Sequence, residues 1–138
     1  MYKVFGITLV VLALALAIVP HFTDCQSQGD VITLANGKTL AMKCHWTGVA
    51  EIGVAVPLAM IGGIMTVFRS KKQSYMMLSI LGIALAGVAL SFPTYMIGVC
   101  SMPTHMCNTA MKPALLAIGS VAAVVSIGAL ISARKIKD

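Results

Sequence analysis

The residues able to do chemistry gather in two short segments of this chain. Cys25 and Cys44 lie in one, Cys100 and Cys107 in the other, and these are all four cysteines of the sequence. His21, His45 and His105 share the same segments, as do Met42, Met96, Met102, Met106 and Met111. Thiolate, imidazole and thioether together form a soft-ligand set of the kind that suits Cu(I) or Zn(II). The run Cys100-Ser101-Met102-Pro103-Thr104-His105-Met106-Cys107 concentrates it, and His21, His45, His105, Met102 and Met106 are the non-thiol residues placed on such a site. The spacing matches no standard zinc pattern, however, and no Cys-x-x-Cys pair marks an exchanging redox dithiol. An even number of thiols in an oxidising compartment reads first as two disulfides. Of the three pairings, Cys25–Cys44 with Cys100–Cys107 is preferred, because each bridge then closes one loop. No paired carboxylates, catalytic triad or phosphate-cradling glycine loop occurs, so the chain reads as a non-enzyme with no cofactor of its own.

The elements that position these residues are apolar. Of 138 residues 59% are hydrophobic and 10% charged, against about 25% charged in soluble domains. Four apolar stretches, about 4–20, 48–68, 75–92 and 113–132, approach the ~20 residues that cross hydrocarbon as a helix. Backbone polar groups in lipid must be bonded within the segment, so the expectation is a single all-α domain over 1–138 with four transmembrane helices. Lys3, the apolar core and Ala15-Leu16-Ala17 give the first stretch a leader-like look, but it is read as a retained anchor. The net charge of +6 does not point to nucleic acid, because the basic residues sit in short groups between apolar runs. Lys3, Arg69, Lys71, Lys72, Arg134, Lys135 and Lys137 fall on one side and Lys38, Lys43 and Lys112 on the other. That asymmetry places both termini in the cytoplasm and the loops 21–47 and 93–112 outside.

Within the first outer loop, Asn36-Gly37 separates two β-prone runs, 31–35 and 38–42, which predicts a small β-hairpin on a type I′ turn. The two halves of the chain also echo each other. Pro20 precedes Cys25 as Pro93 precedes Cys100, and Cys44-His45 and Cys107-Asn108 each precede a helix. This predicts two helical hairpins in a parallel pseudo-repeat, tied outside by disulfides into a cap. Trp46 reads as an interfacial anchor, and Thr47 with Gly48 as the N-cap of the second helix. Glu51 then falls in the first turn, where an acid gains from the helix dipole or contacts a partner or ion. Small residues four apart (Ala13 and Ala17, Ala59 and Gly63, Gly82 and Ala86, Gly119 and Ala123) allow close helix approach inside the bundle or against a neighbour.

The segment Met42-Lys43-Cys44-His45-Trp46-Thr47, opening the second helix, resembles a family of small bacterial and archaeal four-helix membrane proteins of unknown function. Pro20 with Cys25 and Pro93 with Cys100 match the same family pattern. The resemblance implies a multi-pass protein of the cytoplasmic membrane that accompanies ABC-type export machinery. Cys44, His45, Trp46, Thr47 and Glu51 carry over as motif positions, with Cys25, Cys100 and Cys107 as the other cysteines. The expectation is therefore a non-enzymatic accessory subunit in contact with lipid. It would pack against a transporter permease or a second copy of itself, with motif contacts through His45, Trp46, Thr47 and Glu51. The alternatives are an extracytoplasmic copper or other metal-binding membrane protein, and a thiol-disulfide membrane protein.

Overall fold

Four helices carry the chain: α1 Tyr2–Thr23, α2 Lys43–Val67, α3 Lys72–Ser91 and α4 Lys112–Arg134. The computed structural model describes residues 2–26, 29, 31–67 and 72–135, the side chain of Tyr2 excepted. Arg69, Lys71 and Lys137 of the basic side lie outside the described residues. Every helix, with the turns that extend it, is long and apolar enough to cross a membrane, over 21 to 28 residues. The architecture is thus all-α and multi-pass.

The helices form two hairpins. α1 packs along α2 and α3 along α4; the hairpins meet chiefly through α1 and α4, with lighter contact between α2 and α3. Small residues make the close approaches. Gly6 of α1 and Gly62 of α2 face each other, and a Cβ on either would stand 2.7 Å from the other's carbonyl oxygen. Only glycine fits both sides of that crossing. Between α3 and α4, a Cβ at Gly82 would stand 2.7 Å from Ser126 Oγ, and Ala86, Ala89, Ala122 and Ala129 are buried. Tyr75 Oη donates to the carbonyl of Met65 at 3.0 Å and ties the start of α3 to the far end of α2. The core runs the length of the bundle through Leu9, Leu16, Leu58, Met65 and Leu115. Outward-facing Val11, Leu14, Met60, Leu81 and Val124 are more than half exposed, as a lipid-facing surface requires.

Three helices start earlier or run further than hydropathy alone indicates. α2 begins at Lys43, five residues before the expected start, and buries Cys44, Thr47, Gly48, Glu51, Val54, Ala55 and Leu58. These recur at helical spacing on one face, so the polar residues belong to the packed stripe and not to a loop. α3 and α4 are each extended at the cysteine end by a single π-helical turn, Phe92–Met96 and Cys107–Met111. Pro20 and Pro57 are accommodated inside α1 and α2.

The hairpin forms where expected. β1 Ile32–Thr33 and β2 Thr39–Leu40 pair antiparallel, Ile32 with Leu40 and Thr33 with Thr39. Its turn differs from a type I′ turn, which needs positive φ at both central residues. Only Gly37 has positive φ here, at 77°, and no non-glycine residue does among those described. The Gly37 N–H donates to Leu34 O at 2.9 Å and the Leu34 N–H to Lys38 O at 2.8 Å. This is a three-residue loop closed by glycine in the left-handed region, and Asn36 Oδ1 accepts from the Lys38 N–H at 3.1 Å. All four strand residues are exposed.

Candidate metal centre

The four cysteines arrive from four separate places in the chain and meet at one point. Cys25 follows α1, Cys44 occupies the first turn of α2, Cys100 follows the π turn of α3, and Cys107 opens the π turn before α4. Because both hairpins put their loops at the same end, these four ends of secondary structure converge. All four Sγ atoms lie within 4.8 Å of one another. Cys25 Sγ is 3.1 Å from Cys107 Sγ and 3.4 Å from Cys100 Sγ, and Cys100 Sγ is 3.4 Å from Cys44 Sγ. The Cys25 backbone N–H donates to Cys44 Sγ at 3.4 Å.

The expected bridges Cys25–Cys44 and Cys100–Cys107 are not formed; all four residues are free thiols. The pairing by loop assumes that each loop folds on its own. Instead α1 packs against α4 as well as α2, and Cys25 Sγ stands 3.1 Å from Cys107 Sγ, on the other hairpin.

The surroundings differ from thiol to thiol. Cys25, Cys44 and Cys107 are buried, while Cys100 is half-buried. Burial pushes the Cys25 thiol well above its ordinary range, and its neighbours Cys44, Cys107 and Cys100 push it the same way. Burial acts upward on Cys100 too, but hydrogen bonds with Cys25, Cys44 and Cys107 outweigh it and hold Cys100 below the ordinary thiol value. A fifth sulfur is close: Met42 Sδ lies 3.7 Å from Cys100 Sγ.

Two polar contacts brace this arrangement. Thr47 Oγ1 donates to Gly98 O at 2.6 Å, which anchors the strand of chain leading to Cys100 onto α2. Thr47 is thus a tie between hairpins inside α2, not an N-cap. His45 Nδ1 is 3.0 Å from Asp24 Oδ2. Since Asp24 adjoins Cys25 and His45 adjoins Cys44, this pair holds the two cysteine-bearing segments of the first hairpin together. Asp24 escaped the sequence reading; the only signal for it was an acid beside one cysteine and a base beside another.

The remaining predicted residues lie elsewhere. His21 is exposed and stacks edge-on with Phe22 at 5.5 Å. With Asp24 and His45 it lines a small cleft beside Pro20, Gly48 and Ile52. His105 is half-buried, and its carbonyl accepts from the N–H groups of Asn108 and Thr109 as the last helix begins. Met102 and Met106 are exposed at 60% and 48%. Among the described residues, His21, His45 and His105 are not gathered into one ligand group. Among the described residues, the group whose ligand atoms converge is the four cysteines. Trp46 is exposed, edge-on to His45 at 5.8 Å. Glu51 is not in a first turn, because α2 starts earlier; it is fully buried two turns below Cys44. Neither of its carboxyl oxygens has a hydrogen-bond partner among the described residues.

The chain belongs to the DUF4418 family, a domain of unknown function, whose model matches residues 4–132. No curated protein and no solved structure matches it.

Proposed function

We propose that this protein is a membrane-embedded receptor for a thiophilic metal ion, held by the thiolates of Cys25, Cys44, Cys100 and Cys107. The observation that carries this reading is the convergence of four Sγ atoms from four chain segments within 4.8 Å, three of them on buried residues. A tetrahedral ion with metal–sulfur bonds of ~2.3 Å needs sulfurs roughly 3.8 Å apart. Side chains already separated by 3.1 to 3.4 Å and no more than 4.8 Å need move only slightly to meet that requirement. An ion also answers the electrostatic problem of four adjacent thiols. Their deprotonation in a buried site is opposed by desolvation and mutual repulsion, and a bound cation reverses both. The Cys25 N–H to Cys44 Sγ hydrogen bond is the kind of outer contact that steadies a ligating thiolate.

The charge asymmetry of the sequence supports an extracytoplasmic centre with both termini inside, and the family resemblance supports a bacterial or archaeal cytoplasmic membrane. Each half of the chain contributes one cysteine after its first helix and one at the start of its second, which fits a parallel pseudo-repeat. The accessory role beside an ABC-type permease is compatible with such a receptor. The fully exposed hairpin and the apolar helix faces are where a partner would sit.

The test is to purify the protein under reductant, load it with Zn(II) or with Cu(I), and count metal. One ion per chain is expected, lost in Cys44→Ser and in Cys107→Ser. Protein that takes up neither ion ends this reading. A second reading, thiol–disulfide exchange, draws on the half-buried Cys100 and its lowered thiol pKa. It would be favoured if Cys100→Ser abolished trapping of a mixed disulfide while the other three variants accumulated it.

A further inference from the structure

The thiol centre has one open side. Cys44 and Cys107 have no solvent exposure and Cys25 has 2%. Cys100 is the half-buried member of the four. Besides its fellow thiols, that sulfur meets Met42, whose Sδ stands 3.7 Å from Cys100 Sγ. Met42 is itself half-buried, resting on the core just before α2 begins. Further out on the same end, Met96, Met102 and Met106 are exposed.

A thioether differs from a thiolate in the ions it serves. It is uncharged, has no proton to lose and is highly polarisable. It therefore binds Cu(I) well but adds little to a Zn(II) site, where charged or strongly basic ligands are needed. We propose that Met42 is the receiving ligand of this centre and makes it a Cu(I) acceptor: the ion is first held between the Met42 thioether and the Cys100 thiolate, then passed to the buried sulfurs. The ion enters and remains as Cu(I), and no electron changes hands. Each cysteine that coordinates it gives its thiol proton to solvent. This inference rests on the thiolate-centre reading above and adds to it the identity of the ion and its way in.

Methionine also fills gaps in cores without any ligand role, so the test separates packing from coordination. Full-length protein in detergent, kept anaerobic, is offered Cu(I) as its bathocuproine disulfonate complex, and Zn(II) in a parallel chelator titration. Met42→Leu keeps the apolar bulk and removes the sulfur. It is expected to slow Cu(I) transfer or weaken Cu(I) retention by about tenfold or more, the scale seen when a supporting group of a metal site is lost. Its Zn(II) affinity should equal that of the unaltered protein, which also shows that the variant is folded. Unchanged Cu(I) transfer together with intact Zn(II) binding overturns the role of Met42 and leaves the thiolate centre standing. Failure of the unaltered protein to bind either ion overturns both. If Met42→Leu does not fold, methyl-labelled methionine in the unaltered protein decides: the Met42 methyl resonance should shift with Cu(I) and stay with Zn(II). A resonance indifferent to Cu(I) contradicts the proposal.

Discussion

The two structured features between α1 and α2 are built in opposite ways. The hairpin at 32–40 is held by bonds between residues a few positions apart, and its strand residues are exposed. The thiol centre, which takes Cys25 and Cys44 from either side of that hairpin, is held by contacts spanning 19 to 82 residues, and its sulfur–sulfur contacts between hairpins span 56 or more. Three of its four cysteines are buried. A feature closed locally can change without consequence for the bundle. A feature closed across the bundle reports on every element that feeds it.

Oxidation without metal should give the largest effect. Sulfurs 3.1 and 3.4 Å apart approach the ~2.0 Å of a disulfide with little movement, and these pairs are Cys25–Cys107 and Cys44–Cys100. Non-reducing peptide mapping is expected to find those two cross-hairpin bridges. Closing loops of 82 and 56 residues would each stabilise the chain by roughly 4 kcal/mol in the loop-entropy account, seen as a raised melting temperature. Recovery of Cys25–Cys44 and Cys100–Cys107 instead would mean that each loop closes on its own, and the contrast drawn here would fail.

The smallest effect should come from the hairpin. Gly37 sits at φ 77°, where an alanine costs about 1–2 kcal/mol. Gly37→Ala is expected to speed amide exchange at Leu34 and Lys38. It should leave metal stoichiometry and the melting temperature of the bundle unchanged. A variant that loses metal would tie the hairpin to the centre and erase the distinction.

The same contrast explains what the sequence makes legible. The four spans are readable because lipid imposes a minimum apolar length, and the hairpin because Asn36-Gly37 is a local signal. Helix ends are less so. Cys44, Thr47 and Glu51 lower the local hydropathy and mask the start of α2, although they lie on its buried face. The π turns at Phe92–Met96 and Cys107–Met111 leave no compositional mark, yet they extend the two helices that flank Cys100. The cysteines were visible as a group, but their arrangement was not. Pairing by loop uses sequence distance, whereas the fold brings Cys25 beside Cys107 through the packing of α1 on α4. Nor does a sequence show that Thr47 reaches Gly98, or that Asp24 and His45 meet.

The most direct measurement is X-ray absorption at the metal edge of the loaded protein. A first shell of sulfur alone, lost when any one of the buried cysteines is replaced by serine, is the predicted result. A shell containing imidazole nitrogen, from His21, His45 or His105, would contradict the four-thiolate centre.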